Sequence, residues 1–533
     1  MNDRPFPLAG LLVLVLGAFM AILDGSIVNV ALPKLMAIFG VSADKIQWVM
    51  TGYLLTSGVV VPVTGYLGDR LGYKRVYIYS LAAFTIGSAL CGASWSNNSL
   101  IAFRVVQALG GGMLIPLSMA IIFRIIPRQK IGMAMGIWGV SAIMAPAVGP
   151  TLGGYLVDNY SWHLIFTINI PVGIIAIILT YLIVEETPLI KNLKFDFMGC
   201  VLCCAGLFSL LLALSKGQEE GWTSQYIVTL FVFSFFSLLL FCLWELQTPH
   251  PMIDMRLFSN AVFSASIVAT IGMSVAMFAV IFLVPLYCQN LQGMTPMQTG
   301  LLMMPMALTT GLMMPISGRL FDKIGALPLG VAGLVIVGVL TVVMSSISLD
   351  TSNHHLKVLL VLRAVGLGLC MMPISTAGMN TIPPALTGRA SAINNLSRQI
   401  ASSFGIAYMT HIMLNRQSQH AAWMTDGASW ASPFAVDSYH NMVQTASALL
   451  GDGSGSQIIA AYMSAVVQRE ATAHGIGDAI LVSAVMTFLI IPLVFMLSKK
   501  KVEEQRLKEK AKYAALMAGQ PDKAQLPPNV VVE

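Results

Sequence analysis

Runs of about 20 apolar residues alternate along this chain with short turns rich in charge, Pro, Gly or Asn. Fourteen such runs begin at roughly residues 8, 46, 76, 99, 133, 163, 197, 225, 262, 299, 327, 356, 392 and 475. A helix rises about 1.5 Å per residue and a bilayer core is about 30 Å thick, so each run can span a membrane. The pattern predicts an all-α polytopic membrane protein with 14 transmembrane helices.

Composition agrees: of 533 residues 56% are hydrophobic and 10% charged, against about 25% charged in a soluble domain. With the N-terminus placed in the cytoplasm, 22 Lys/Arg fall in cytoplasmic segments, 6 outside, and 2 (Arg104, Arg363) within spans. Eight of the 22 follow Ser498, yet the remaining 14 against 6 still place both termini in the cytoplasm. The first span is too long for a signal-peptide core and has no obvious cleavage site, so no removal is expected. The 7 cysteines lie in or beside apolar runs, and Cys200, Cys203 and Cys204 have no second ligand pair, which favours packing over metal binding.

The chain repeats itself. "GYLGDRLG" (Gly65 to Gly72) recurs as "GRLFDKIG" (Gly318 to Gly325), 253 positions on. Pro127, Gly132 and Gly149 map onto Pro383, Gly388 and Gly405 at an offset of 256, and Arg104 onto Arg363 at 259. Both loop copies fall on the cytoplasmic side, so the repeats are parallel and related by an axis along the membrane normal, with a cavity between them near the midplane. The expected organisation is a six-helix bundle over 1–190, two inserted helices within 191–250, a second six-helix bundle over 251–498, and a charged cytoplasmic tail over 499–533. The second bundle includes an external segment, 415–474, read as two short amphipathic helices around the flexible turn "GDGSGSQ". The two inserted helices are apolar all round and are expected to face lipid.

One carboxylate, Asp24, stands well inside the first span. An acid there costs about 2.5–3.5 kcal/mol on insertion scales, which marks it as a functional candidate. Arg104 lies at a similar depth in the fourth span, so the two are expected to face one another. Burial favours the neutral acid and the guanidinium favours the carboxylate; a group between those influences can load and release a proton or meet a cationic substrate. A purely structural acid held by Arg104 is the competing reading. Gly17, Ala21, Asp24 and Val28 share one face of the helix; Asn29, about 140° round it, is expected to hydrogen-bond between helices or line the cavity. Arg363 repeats Arg104 and is a further candidate for the cavity wall, but no intramembrane acid of the second half is evident as its partner.

Three more patterns carry candidate chemistry. Gly65 and Gly72 let the first loop turn tightly around Asp69 and Arg70, ahead of Lys74 and Arg75; Asp69, and Asp322 in the second copy, can pair with basic groups or a helix N-terminus in one conformation and release them in another. Pro146, Gly149, Pro150, Gly153 and Gly154 make a narrow stripe on span five, suited to close packing and bending. Span ten carries Met303, Met304, Met306, Met313 and Met314 around Pro305 and Pro315. Met306 and Met313 are candidates for an adaptable cavity wall, with a Met-rich lipid face as the alternative.

The motifs "LDGSIVNVALP", "GYLGDRLGYKR", "RVVQALGGG", "GVSAIMAPAVGPTLGGYL" and "WHLIFTINIP", in this order, resemble those of the major facilitator superfamily, in particular the fourteen-span drug:proton antiporters of the EmrB/QacA type. The resemblance covers nearly the whole chain. It implies a gating latch at Asp69, an antiporter signature in "APAVGPTLGG", residence in a bacterial cytoplasmic membrane, and a periplasmic adaptor protein as a partner for 415–474, for which a plain lid or spacer is the alternative. The implied function is proton-coupled export of hydrophobic or cationic drugs by alternating access. A dedicated exporter of one metabolite, lipid or amino-acid-like compound is the alternative. No GxxxxGK[ST], HExxH or GxSxG is present, so an ion gradient rather than ATP is the expected energy source, with no enzymatic activity, cofactor or nucleic-acid partner expected.

Overall fold

The computed structural model describes residues 8–187, 195–248, 251–427, 433–450 and 455–518. Among them all regular structure is helical. The N-terminal bundle comprises α1 (Leu8–Phe39), α2 (Ala43–Val60), α3 (Val63–Leu71), α4 (Tyr73–Gly92), α5 (Asn97–Ile125), α6 (Ile131–Asn159), α7 (Leu164–Thr167) and α8 (Asn169–Ile183). The inserted pair is α9 (Phe197–Glu220) and α10 (Gln225–Gln247). The C-terminal bundle comprises α11 (Ala261–Asn290), α12 (Pro296–Ile324), α13 (Ala326–Ser345), α14 (Asn353–Asn380), α15 (Thr387–Gly427), α16 (Pro433–Leu450) and α17 (Gly455–Val494), followed by α18 (Lys499–Ala518).

Local signals set these boundaries. Ser96 and Thr295 form capping boxes at the starts of α5 and α12, and Asn260 caps α11. Gly72 (φ 93°) and Gly325 (φ 85°) end α3 and α12 at equivalent repeat positions, in a conformation that only Gly adopts freely. Beyond Val60, where Pro62 follows, α3 turns 55° from α2.

Ten helices are long and apolar enough to cross a membrane, or twelve when each of two bent pairs counts as one span. Fourteen is therefore not reached on apolarity alone. The two further helices at expected span positions, α4 and α15, are more polar. Lys74 and Arg75 open α4, and Asn394, Asn395, Arg398 and Gln399 sit in α15. Both pack among neighbouring helices, α4 on α5 and α8, α15 on α11 and α17, which relieves them of the need to be apolar.

Two expectations change. Of the two short helices expected in 415–474 one is present, α16, packed on α17; the other is the first part of α17, and α15 and α17 run on as continuous helices of 41 and 40 residues, about 60 Å each. No proline interrupts either extension, and residues 451–454 of the expected flexible turn lie outside the described residues. His420 Nε2 and Asp478 Oδ2, 2.9 Å apart, tie α15 to α17 at their base, with Arg416 3.6 Å from the same carboxylate. Nor is α9 simply lipid-facing. Cys204 donates to the Val59 carbonyl, and a side chain added at Gly58 of α2 would meet both Leu211 of α9 and Gln399 of α15. The α9 helix is wedged over the seam between the bundles, whereas α10 is mostly exposed on its outside.

The bundles meet at one end, the one expected to be cytoplasmic. Arg128 Nη1 donates to the Asn380 carbonyl (2.9 Å), Ser391 Oγ to the Pro116 carbonyl (2.8 Å) and Gln399 Nε2 to the Leu54 carbonyl (3.1 Å). Further out, α6 lies directly on α12: a Cβ at Gly136 would stand 2.5 Å from the Met314 carbonyl oxygen. No polar contact joins the bundles at the opposite end among the described residues, so the conformation is closed at the end that carries the Asp69 and Asp322 loops.

Candidate functional site

Asp24 is 1% exposed and Arg104 wholly buried. Arg104 Nη1 lies 2.5 Å from Asp24 Oδ2 and also donates to Gln107 Oε1 at 2.7 Å. The other carboxylate oxygen accepts from Gln107 Nε2 (2.8 Å) and Asn169 Nδ2 (2.9 Å). Ser88 Oγ accepts from the same two amides, at 2.7 and 3.5 Å. Arg104 is held in turn by the Val49 carbonyl (3.3 Å) and by the face of Tyr53, 4.0 Å away. Side chains or carbonyls of α1, α2, α4, α5 and α8 thus converge on one ion pair.

The expected pairing is present, but it is more closed than the sequence suggested. Both oxygens of Asp24 are occupied by groups of its own bundle, so it offers no free carboxylate to a cation in this conformation. A buried pair of this kind holds structure mainly against its own disruption: removing one partner costs about 3–5 kcal/mol because the other charge is left uncompensated. Protonating Asp24 removes the charge that Arg104, Gln107 and Asn169 all address, and so loosens α1, α5 and α8 together. Gln107 and Asn169 were missed as site residues, although both lie in the quoted motifs. The signal available was the one-turn spacing of Gln107 from Arg104; Asn169 carried none.

The second cluster joins the two halves at the loops expected to form a latch. Asp69, 1% exposed, lies 3.1 Å from Arg124 Nη2, 3.8 Å from Arg389 Nε across the seam, and accepts from the Tyr73 hydroxyl at 2.9 Å. A Cβ at Gly65 would stand 3.2 Å from the Arg389 backbone nitrogen, so this glycine lets α3 close on the start of α15. Asp322 makes the reciprocal contact: its two oxygens accept the backbone N–H groups of Gly132 (2.9 Å) and Met133 (3.0 Å) at the start of α6. Asp69 faces Arg389, beside Gly388, and Asp322 faces Gly132, so each half holds the equivalent helix start of the other. Arg70 is not part of this cluster; it is exposed and donates to Tyr66 (2.6 Å). Lys74 and Arg75 turn instead towards Tyr181 and Glu186.

The stripe on α6 packs on α1 just beyond Asp24. A Cβ at Gly149 would collide with Ser26, and one at Gly153 would lie 2.8 Å from the Ile27 side chain; at Gly154 the nearest atom, of Val30, is an ordinary 3.8 Å away. Ser26 Oγ reaches the Ala145 carbonyl at 3.3 Å. Pro146 is exposed, and the Pro150 side chain lies outside the described residues.

The remaining candidates fall elsewhere than expected. Asn29 is exposed and, among the described residues, makes no side-chain hydrogen bond. Arg363 is wholly buried within the C-terminal bundle, donating from Nε to Thr341 Oγ1 (2.9 Å) and from Nη2 to the Ala276 carbonyl (3.2 Å). Met306 is packed in a core with Val275, Met344 and Leu360, and Met313 is half-buried against Gly368. A small cavity in the C-terminal bundle is lined instead by Met273, Met277 and Met371, together with Thr270, Ser274, Leu367 and Arg398. Arg398, grouped with the cytoplasmic basic residues in the sequence count, stands 12 residues into α15.

Comparison with known proteins places this architecture. The model of the Major Facilitator Superfamily matches residues 14–406. The chain is 35% identical to the uncharacterised MFS-type transporter YhcA of Bacillus subtilis over 95% of both chains. It is 30% identical to the multidrug export protein EmrB of Haemophilus influenzae, over 92% of this chain and 95% of that one. In fold it is similar to the proton:xylose symporter XylE, with a TM-score of 0.61 at 12% identity, covering 94% of this chain and 98% of that one. The chain belongs to the major facilitator superfamily and is a multi-pass membrane protein.

Proposed function

From membership of the major facilitator superfamily we propose that this protein is a proton-coupled drug exporter of a bacterial cytoplasmic membrane, working by alternating access. The likeness to EmrB, named as a multidrug export protein, supports export of drugs. The observation that carries the coupling is the enclosed Asp24–Arg104 pair with Gln107 and Asn169. A carboxylate whose every partner belongs to one bundle translates its protonation into that bundle's packing. Because α6 lies on α1 at Ser26 and Ile27, the change is passed to the helix that meets α12 in the other half.

The cycle follows from these contacts. With Asp24 charged, the network is tight and the cytoplasmic latch closed. Protonation from outside releases Arg104, loosens α1 against α5 and α6, and frees the latch so that the halves open inward. Drug entering from the cytoplasm displaces the proton, the pair re-forms and the halves rock back. A cationic drug meets Asp24 only once Arg104 has let go, so hydrophobic character rather than charge is the common requirement.

Inside-out vesicles holding an imposed pH gradient test this, with ethidium added to wild type and to Asp24→Asn at equal expression. Substrate-driven dissipation by wild type, lost in Asp24→Asn while ethidium still binds, is the expected result. Equal responses of the two proteins rule out proton coupling at Asp24.

A further inference from the structure

The N-terminal bundle answers its buried arginine with a carboxylate; the C-terminal bundle does not. Arg363 has a hydroxyl and a carbonyl, with its Nη1 buried and unpartnered. Arg398 has nothing: among the described residues it makes no hydrogen bond or ion pair, and its Nε is buried without a partner. It points into the cavity between α11, α14 and α15, whose other walls are the hydroxyl-bearing Thr270 and Ser274 and the apolar Met273, Met277, Met371 and Leu367.

On the premise that the chain moves amphipathic small molecules, we propose that Arg398 is a binding site for the anionic head group of a substrate, a carboxylate or a group of similar shape. An ionisable residue inside a membrane protein calls for a partner, and here the described residues supply none. A guanidinium presents its N–H donors in a planar fork that matches a carboxylate. The free space at the site, about 10 Å³, is that of one water-sized group, which suits one carboxylate oxygen with its tail left outside.

Position adds to the argument. One turn before Arg398, Asn394 and Asn395 reach Met119 of the other bundle at 3.6 Å, and the next residue, Gln399, reaches the Leu54 carbonyl at 3.1 Å. An anion seated at Arg398 therefore sits beside the seam, where its presence bears on whether the halves part. The sites are separate: Asp24 handles the proton in one half, and Arg398 handles substrate charge in the other.

The test is fluorescence titration of the purified full-length protein in lipid nanodiscs with 1-pyrenebutyrate and with its neutral methyl ester. Arg398→Gln is expected to weaken pyrenebutyrate by about tenfold or more, the loss of a charge-assisted hydrogen bond, and to leave the ester within twofold. Arg398→Lys, which keeps the charge and loses the fork, falls between. Equal weakening of both probes, or of neither, overturns the site and leaves the exporter reading standing. Wild type that binds neither probe overturns the site, and the exporter reading falls with it only if ethidium also fails to move protons in the vesicles. Should Arg398→Gln not purify as a monodisperse protein, Met371→Phe carries the test by filling the cavity while leaving the charge. Pyrenebutyrate affinity must then fall with the ester unchanged, and an unchanged affinity for pyrenebutyrate refutes the site.

Discussion

Arg104 and Arg363 occupy the same place in the two repeats and are wholly buried, yet Arg104 lies 2.5 Å from a carboxylate and Arg363 is held by a hydroxyl and a carbonyl alone. The duplication kept the cation and only one half carries the acid. The halves therefore differ in what removal of their arginine exposes.

Arg104→Gln strands Asp24 as an uncompensated charge and is expected to lower stability by about 3–5 kcal/mol. Arg363→Met strands only neutral acceptors and should cost about 1–3 kcal/mol. Adding Asp24→Asn to Arg104→Gln should recover part of the loss. Thermal unfolding in detergent measures all four proteins, and a double variant no more stable than Arg104→Gln would show that the pair is not the source.

Asp322→Ala removes two charge-assisted hydrogen bonds from the start of α6. At about 1.5–3 kcal/mol for such bonds, the closed-to-open ratio on the cytoplasmic side should fall by about ten- to a hundredfold. Spin labels at Gln129 and Lys323, both lining the cleft beside Asp322, report it. A distance distribution identical to that of the labelled parent would count against the latch.

Gly136→Ala sets a Cβ against the Met314 carbonyl across the seam, 2.5 Å away, where backbone must move. Each bundle should still fold, but closure should fail and ethidium export in vesicles should drop at least tenfold. Gly154→Ala makes only an ordinary contact with Val30 and should export at the parental rate. If both variants transport alike, the close α6–α12 approach is not required for turnover.

Asp478→Asn removes the carboxylate that Arg416 and His420 share at the base of the external helices. Exposed pairs are worth about 0–1 kcal/mol, so the melting temperature should barely change. Hydrogen exchange across residues 413–423 should nonetheless accelerate, because those amides depend on α15 staying paired with α17. Unchanged exchange would assign the pairing to packing alone, at Gly475 on Met413.

Much of this protein is fixed by local, one-dimensional properties. Apolar run length set the helices, because a bilayer tolerates only backbone that satisfies itself. Caps and the glycines at 72 and 325 set the ends, and the loop repeat at an offset of 253 set the two-fold plan. Asp24 and Arg104 were legible because charge is rare in such runs. What the chain could not settle in one dimension is who meets whom. Whether Asp24 faces open space or a sealed network depends on Gln107 and Asn169, 83 and 145 residues away. Arg398 reads as one more basic residue until α11 and α14 close round it without an acid. Polar α15 falls below the apolarity of a span because its neighbours, not lipid, surround it. Periodicity determines which faces are apolar; only packing decides which polar group is answered and which is left waiting.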